Sequence, residues 1–375
     1  MAGATLLARH WLTGETRPVP AAPATAAGLA AAPDNRWLAP ALFDVQVNGF
    51  AGVDFQTDHP EAADLERAVR SLRRCGCARL LLTLISDRWD RLLAKLHRLR
   101  ALRARSRSLQ SAIAGWHLEG PFLSIAPGFH GAHDPAAMLD PTPSRIRELR
   151  EATGDDLVLL TLAPERPGAL EAIALAASLG LKVSLGHTDA PAGCLRDAVA
   201  AGATGFTHLG NACPQQLDRH DNILWRVLDT PGLTVSLIAD KRHVSPPLFR
   251  LIHRALPPER IIYITDAMAA AGAPPGRYRL GALELEVGED RVVRQPGRSN
   301  FAGSTLTPVE AVFNAAEMLG VPWPEAWQRM SVSPARWLGL SPDDPPEASD
   351  FCLVETDTRG GLARLRTFCA GEEVR

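Results

Sequence analysis

Eight short apolar runs recur along the chain. They are LFDVQV (42–47), RLLLTL (79–84), IAGWHL (113–118), LVLLTL (157–162), KVSLGH (182–187), TGFTHL (204–209), TVSLIAD (234–240) and IIYITD (261–266). Runs of this length that are bounded by turn signals are typical of buried strands. The segments 61–74, 90–105, 169–179 and 246–256 lie between them and carry apolar residues at helical spacing. The pattern therefore predicts strands that alternate with amphipathic helices.

Eight such units predict an α/β fold, which we interpret as a (β/α)8 TIM-like barrel. A doubly wound open sheet is the competing architecture. No GxGxxG motif follows the first run, and eight units are many for one open sheet, so the barrel is favoured.

The two ends of the chain do not continue the alternation. Residues 1–40 and 345–375 contain short β-like runs, and we predict that both termini form a small β domain beside a barrel domain at 41–344. Residues 278–297 predict hairpins inserted after the eighth strand, followed by helical stretches at 307–320 and 324–340. The Ala/Pro-rich segment 18–33 predicts a loop or linker.

Polar side chains stand at the carboxyl ends of six of the eight predicted strands. They are Gln46 and Asn48 (first), Glu119 (third), His187 (fifth), His208 (sixth), Asp240 and His243 (seventh), and Asp266 (eighth). In a barrel all of these ends meet on one face, where barrel enzymes place their catalytic residues. The distribution therefore predicts an active site on that face.

Composition and charge narrow the class of protein. The 375 residues are 46% hydrophobic and 22% charged, as in ordinary globular domains, and the formal net charge of −2 is not that of a strongly basic nucleic-acid binder. No apolar run is long enough to span a membrane, and the first residues lack a secretory signal pattern. Six cysteines without a framework predict reduced thiols in a cytoplasmic protein, and Cys75-Gly76-Cys77 alone is weak evidence for a metal site.

Glu119 lies at the end of an apolar strand, where an unpaired carboxylate would cost several kcal/mol. With His187 and His208 it provides one oxygen and two imidazole ligands, which is a common composition for a catalytic zinc site with a position open to water. Two strand-end histidines alone are more often hydrogen-bonded loop residues, so the prediction depends on all three ligands sharing one face. We predict one divalent metal ion per subunit, with zinc expected and iron or manganese as alternatives.

Asp266 is the candidate general base on the same face. A carboxylate there can take a proton from the attacking water and pass it to a leaving group. The alternative is structural, because the following residues, AMAAAG, could begin a short helix that Asp266 caps.

Several motifs occur in the order typical of one enzyme family. They are DVQVNGFAGVDF (44–55), HLEGPFLS (117–124), GAHDP (131–135), LGHTDA (185–190), THLGNACP (207–214), IADKRHV (238–244), TDAMAAAG (265–272), AGSTLTPVEAV (302–312) and SPARWLGL (333–340). Together these motifs resemble the N-acetylglucosamine-6-phosphate deacetylases of the amidohydrolase superfamily. The resemblance implies a barrel with a small β domain built from both termini. It also implies removal of the acetyl group from N-acetyl-D-glucosamine 6-phosphate.

The resemblance also implies roles for individual residues. Glu119, His187 and His208 correspond to metal ligands, Asp266 to the catalytic acid and base, and His133 to the residue that polarises the acetamide carbonyl. Positions implied to contact substrate are Ala132, His133, Asn211, Ala212, Arg219, Asp240, His243, Phe301, Ala302 and Gly303. Arg219 corresponds to the arginine that binds the substrate phosphate, which in related enzymes comes from the partner chain, so a homodimer is implied. A surface ion pair with Asp218 or Asp221 is the alternative role for Arg219.

Three departures from the usual pattern bear on these roles. Gln46-Val47-Asn48 replaces the HxH of many amidohydrolases, and amides are poor ligands for transition metals, which favours one metal ion. Lys241-Arg242 brings extra positive charge before His243 and could replace Arg219 as the phosphate anchor. Gly210 occupies a position where an aromatic residue is common. Deacetylation of N-acetylgalactosamine 6-phosphate or of an unphosphorylated amide, and an inactive metal-binding paralogue, are the alternative functions.

Overall fold

The computed structural model describes residues 7–19, 34–297, 301–340 and 350–375. The strands, in chain order, are β1 (Leu7–His10), β2 (Thr16–Pro18), β3 (Arg36–Pro40), β4 (Leu42–Val47), β5 (Gly49–Phe50), β6 (Val53–Asp54), β7 (Cys77–Ile85), β8 (Ile113–Glu119), β9 (Leu157–Leu162), β10 (Lys182–Leu185), β11 (Gly205–Phe206), β12 (Thr234–Ile238), β13 (Ile261–Ile264), β14 (Gly276–Leu280), β15 (Leu283–Val287), β16 (Val293–Arg294), β17 (Phe351–Thr356), β18 (Leu362–Cys369) and β19 (Glu372–Glu373). The α-helices are α1 (Ala62–Arg74), α2 (Trp89–Arg105), α3 (Arg107–Ala112), α4 (Pro143–Thr153), α5 (Ala169–Ser178), α6 (Ala192–Ala201), α7 (Ile223–Leu228), α8 (Pro246–Ala255), α9 (Pro308–Leu319), α10 (Trp323–Gln328) and α11 (Val332–Trp337). Two 3₁₀ helices span Pro135–Ala137 and Pro258–Arg260.

Eight parallel strands form the central sheet in the order β13-β12-β11-β10-β9-β8-β7-β4. The first and last of these strands meet, because Asp266 N–H donates to Gln46 O at 3.1 Å and Asn48 N–H donates to Ala267 O at 2.7 Å. The predicted barrel is confirmed, and each of the eight apolar runs contributes one strand to it. The carboxyl ends of the strands consequently lie around one mouth.

A buried aspartate supports the contact between β4 and β13. Asp44 accepts a hydrogen bond from Thr265 Oγ1 at 2.5 Å and another from the Gln46 N–H at 3.1 Å. Burial raises the pKa of the Asp44 carboxyl to about 7, although these hydrogen bonds oppose the rise. The strand pair that closes the barrel is therefore joined by side-chain as well as backbone hydrogen bonds.

The helices cover the barrel with one apolar face each. In α1 the buried residues Leu65, Ala68, Val69 and Leu72 recur at intervals of three and four, and Arg73 and Arg74 lie in the last turn, where cations suit the helix dipole. This spacing is why the sequence pattern located the main helices correctly. Among the described residues, no helix is both long and apolar enough to cross a membrane.

Both termini contribute to a second sheet of six strands, in the order β19-β18-β17-β3-β1-β2. A small separate core packs against it, made of Ala8, Val19, Leu38, Phe351, Leu353 and Phe368. The predicted terminal β structure is confirmed, whereas the division into domains at 40 and 345 stays a prediction. The boundary at 344–345 lies outside the described residues, as do residues 20–33 of the predicted linker.

The segment after the eighth strand forms the three-stranded sheet β14-β15-β16, as predicted, and α9 follows it. The second predicted helical stretch, 324–340, is interrupted. It forms α10 and α11, which are separated at Ser331, where φ is −128° and ψ is −80°. The Ser331 hydroxyl donates to Trp327 O at 2.8 Å, a local bond that holds the bend between the two helices.

Candidate active site

Glu119 ends β8 at the barrel mouth, and its side chain is buried. Its Oε1 lies 2.7 Å from His208 Nε2 and 3.3 Å from His187 Nε2, and the two nitrogens are 3.1 Å apart. The structure thus brings together the three residues that the sequence predicted as ligands. All three are buried, so the carboxylate is shielded from solvent and its partners are fixed.

A change of backbone conformation after the strands positions three of the side chains at the barrel mouth. His187, His208 and Asp266 have positive φ angles of 51°, 36° and 50°. Non-glycine residues rarely occupy this region, and each such residue costs of order 1–3 kcal/mol. The strands β10, β11 and β13 therefore end before the site residues. Each site residue has a left-handed backbone conformation, which places its side chain at the barrel mouth.

The protonation of His187 follows from its hydrogen bonds. Its Nδ1 lies 3.0 Å from the carbonyl oxygen of Phe129, which can only accept, so Nδ1 carries the proton. The Nε2 lone pair then faces Glu119, which is the form that binds a metal. Burial lowers the pKa of His187 to about 4, so the ring is neutral at pH 7.

The donor set fits a divalent cation. Burial would raise the pKa of Glu119, but hydrogen bonds from His133, His187 and His208 hold it well below its usual range. Burial likewise opposes the charged form of His208, yet the hydrogen bond to Glu119 raises its pKa. The carboxylate thus attracts positive charge into a buried space. A cation held by Glu119, His187 and His208 would replace the proton there.

A fourth side chain also reaches this cluster. One potential ligand atom from each of Glu119, His133 and His187 lies within 4.8 Å of the other two. His133 Nε2, however, is 3.7 Å from Glu119 Oε2, whereas His187 and His208 both face Oε1. The distances to Oε1 favour the set predicted from the sequence, although the His133 ring also packs against that of His187, with centroids 4.5 Å apart.

Asp266 follows β13 and is held by two amides of the first strand. Its Oδ1 accepts from Asn48 Nδ2 at 2.6 Å and from Gln46 Nε2 at 3.1 Å. Gln46 Nε2 also lies 3.0 Å from Glu119 Oε1. The two amides therefore donate to the carboxylates of the site, and the single metal ion stays a prediction.

The environment of Asp266 favours proton uptake. Burial and the negative charge of Glu119 raise the pKa of Asp266 to about 6. The alternative role as a helix cap is wrong, because residues 267–273 form a β-bridge and turns and no helix begins there. Asp266 is thus a half-buried carboxylate at the barrel mouth, and it is linked to Glu119 through hydrogen bonds from Gln46 Nε2 to both side chains.

A second group of predicted residues surrounds His243. Its Nδ1 lies 2.6 Å from Asp240 Oδ2, and its ring contacts that of Phe301, with centroids 4.9 Å apart. The segment that follows Phe301 runs beside the catalytic candidate: Ala302 is buried, Gly303 has a φ of 69°, and the Ser304 N–H donates to Asp266 O at 2.8 Å.

The remaining predicted contact residues differ in their placement. Asn211 N–H donates to His208 O at 2.9 Å, Ala212 has a positive φ of 50°, and Ala132 packs beside the buried group that includes Met268. Arg219 is exposed, and the structure does not bring it to the Glu119 cluster of its own chain.

The ion pairs bear on the alternative role of Arg219 as a surface partner of Asp218 or Asp221, and on the surroundings of Lys241. Asp221 Oδ1 lies 2.5 Å from Arg226 Nε. Asp218 Oδ1 accepts hydrogen bonds from the backbone N–H groups of His220 and Asp221. Within the described residues, neither aspartate is therefore paired with Arg219. Lys241 Nζ lies 2.7 Å from Glu317 Oε2. Lys241 is therefore ion-paired with an exposed glutamate of α9, whereas the role of Lys241-Arg242 as a phosphate anchor stays a prediction.

Sequence reasoning missed Ser86, which directly follows β7. Its Oγ lies 2.9 Å from His133 Nδ1, and its backbone N–H donates to the same nitrogen at 3.3 Å. Its position could have indicated a role in the site, since Ser86 is the polar residue at the carboxyl end of the second barrel strand. It was overlooked because serine at a strand end is ordinary in a loop.

A (β/α)8 barrel with this carboxylate–imidazole cluster and a second carboxylate at its mouth defines a metal-dependent amidohydrolase. The chain is 34% identical over 307 residues to an N-acetylgalactosamine-6-phosphate deacetylase of Escherichia coli O157:H7, covering 82% of this chain and 79% of that one. It is 31% identical over 305 residues to the N-acetylglucosamine-6-phosphate deacetylase of Vibrio furnissii, with 81% and 74% covered. The chain belongs to the N-acetylglucosamine-6-phosphate deacetylase family.

A solved structure gives the same result for the fold. The structure of an Asp-to-Ala mutant of N-acetyl-D-glucosamine-6-phosphate deacetylase from Mycobacterium smegmatis, in complex with N-acetyl-D-glucosamine-6-phosphate, matches with a TM-score of 0.82 and 33% identity. The match covers 99% of this chain and 100% of that one. No family model matches the chain.

Proposed function

We propose that the protein hydrolyses the acetamide bond of N-acetyl-D-glucosamine 6-phosphate to give D-glucosamine 6-phosphate and acetate. The observation that carries this proposal is the convergence of Glu119, His187, His208 and Asp266 at one barrel mouth, in a chain that belongs to this deacetylase family. The cytoplasmic location stays a prediction.

Glu119, His187 and His208 hold one divalent metal ion per subunit in this proposal, with zinc as the expected ion. Support comes from the ligand tautomer of His187 and from the two Nε2 atoms that face one carboxylate oxygen. When bound there, such an ion would supply Lewis acidity, which lowers the pKa of a water and polarises a carbonyl.

The chain's own residues move the protons and stabilise charge. Asp266 accepts a proton from the attacking water and then donates it to the amine that leaves. Gln46 and Asn48 keep its Oδ1 in place, so the carboxylate does not have to reorient between the two transfers. His133 faces Oε2 of Glu119 beside the ring of His187, and in this proposal it donates a hydrogen bond to the carbonyl oxygen as negative charge develops.

The 6-phosphate lies toward His243 and an arginine in this proposal. His243 is half-buried and contacts Asp240 and Phe301 beside the Asp266 segment, which in this proposal makes it a fixed contact at the sugar side of the site. Arg219 is exposed on a loop after β11 and is free of acidic partners among the described residues. We therefore propose a homodimer in which Arg219 binds the phosphate held by the other subunit, since guanidinium suits phosphate by its planar donors.

Acetate release from a small panel of sugars tests the activity. We expect turnover of N-acetyl-D-glucosamine 6-phosphate with a higher kcat/KM than for its galactosamine epimer or for unphosphorylated N-acetyl-D-glucosamine. Protein prepared from the Asp266→Asn variant serves as the control for contaminating deacetylase. Preference for the galactosamine epimer would move the assignment to the substrate named for the Escherichia coli relative, and absence of release from all three would reject the proposed activity.

Metal analysis tests the ligand set. We expect one equivalent of divalent metal per chain in purified active protein, and a marked loss in a Glu119→Gln variant, because the amide is a poor ligand. An exposed-residue variant such as Glu317→Gln is the matched control and should keep the metal. Two equivalents at full activity would contradict the single-metal site.

A further inference from the structure

The ring of His133 is held by hydrogen bonds at its Nδ1 end. At one end its Nδ1 lies 3.3 Å from the backbone nitrogen and 2.9 Å from Oγ of Ser86. At the other end its Nε2 lies 3.7 Å from Glu119 Oε2. The side chain is buried, so water does not compete for these positions.

The contact with the backbone of Ser86 determines where the ring proton lies. A backbone N–H can only donate, so Nδ1 of His133 must present its lone pair to it. The proton of the neutral ring is then on Nε2, directed into the site. His187 shows the opposite case, because its Nδ1 faces the carbonyl of Phe129 and its Nε2 is left free to bind a metal.

We propose that Ser86 is a positioning residue that keeps the proton of His133 on Nε2, where it donates to the carbonyl oxygen of the acetamide. The inference rests on the proposed deacetylation and deepens it. The backbone N–H of Ser86 donates to Nδ1, which leaves that nitrogen as an acceptor for the hydroxyl 2.9 Å away. The other acceptors near this hydroxyl are more distant, with Glu119 O at 3.5 Å and Met138 Sδ at 3.8 Å. The two neighbouring histidines therefore have different roles in this proposal. His187 has a lone pair on Nε2 that can bind the metal, whereas His133 has a proton on Nε2 that can be donated to the substrate in a hydrogen bond.

The sequence around Glu119 makes room for this contact. Gly120 has a φ of +92°, and a Cβ atom there would stand 2.1 Å from Ser86 Oγ. A side chain at this position would push the serine away from His133. The glycine that follows the proposed ligand thus keeps the serine hydroxyl beside the imidazole.

The Ser86→Ala variant tests the proposal by kinetics. It keeps the backbone donor and loses the hydroxyl, so we expect kcat on N-acetyl-D-glucosamine 6-phosphate to fall roughly 3- to 10-fold, as for one neutral hydrogen bond, with KM nearly unchanged. Ser86→Thr, which retains a hydroxyl, should recover most of the loss. Ser178→Ala removes a hydroxyl that bonds to its own helix and should leave kcat unchanged.

A double-mutant cycle separates positioning from a general structural effect. In a His133→Ala background the Ser86→Ala change should alter kcat less than 2-fold, because the residue through which it acts is gone. Equal losses in both backgrounds, or a rise in KM without a change in kcat, would overturn the proposal.

The tautomer can be observed without any activity. In the metal-loaded protein labelled with ¹⁵N-histidine, the His133 ring should show a proton bonded to Nε2 and none on Nδ1, with the signal assigned by its loss in His133→Ala. A proton on Nδ1 would overturn the proposal even in an active enzyme. The Nε2–H form in a protein that releases no acetate would instead reject the proposed activity and leave the contact with Ser86 established.

Discussion

The Asp266→Asn variant is expected to lose about 10²–10⁴-fold in kcat, the range that removal of a general acid–base group produces. Asparagine has the shape of aspartate but cannot accept the proton of the attacking water. It can still accept hydrogen bonds from Gln46 and Asn48, which both end on Oδ1 in the native side chain. The local structure should therefore persist while turnover is lost.

Three measurements distinguish this loss from unfolding. Metal content and thermal midpoint should stay close to those of the native protein, and the dissociation constant for substrate should change much less than kcat. Asp189→Asn, which alters an aspartate paired with Arg226 outside the cluster, is the matched control and should retain turnover. Near-native kcat in the Asp266→Asn variant would show that this carboxylate is a spectator.

The Arg219→Ala variant is expected to lower kcat/KM for N-acetyl-D-glucosamine 6-phosphate roughly 30- to 1000-fold. This factor corresponds to a loss of about 2–4 kcal/mol in transition-state stabilisation, the scale of removing one partner of a desolvated charge pair. The rate with unphosphorylated N-acetyl-D-glucosamine should hardly change, because that sugar has no phosphate to bind. Arg242→Ala is the matched control for the adjacent basic residues. Equal losses on both sugars, or a larger loss in Arg242→Ala, would contradict the assignment.

Mixing two inactive variants tests whether Arg219 acts across a dimer. When Arg219→Ala and Asp266→Asn chains assemble together, one site of the mixed dimer has a native Asp266 and receives a native Arg219 from the other chain. Activity on the phosphorylated sugar should therefore return above that of either variant alone. If Arg219 acted within its own chain, every site would lack one of the two residues and mixing would restore nothing.

The barrel was predictable because it depends on periodicity alone. The run LVLLTL coincides with β9, and LFDVQV coincides with β4. The predicted strands overran at their functional ends, as in KVSLGH, where β10 stops at Leu185 and His187 is left-handed. The apolar pattern continues through such a position, since hydrophobicity does not record the change of backbone angle that site geometry imposes.

The sequence predicted which residues form the site better than it predicted the contacts between them. Strand-end position brought Glu119, His187 and His208 into one candidate set, and the structure places their ligand atoms within hydrogen-bonding range of each other. Pairings between distant segments were not readable, so the ion pair between Lys241 and Glu317 and the contact of Ser86 with His133 went unseen. Such contacts depend on loop paths that no local pattern encodes.

The hydrogen bond from Thr265 to Asp44 also has a consequence for the order of folding. It joins residues 221 apart in sequence, whereas β7 to β11 pair between neighbours along the chain. Contacts that close long loops carry a larger entropic cost and tend to form after local ones. Because Asp266 directly follows Thr265, we expect Glu119, His187 and His208 to come together before closure of the barrel brings Asp266 beside them, so that catalytic competence would be acquired last.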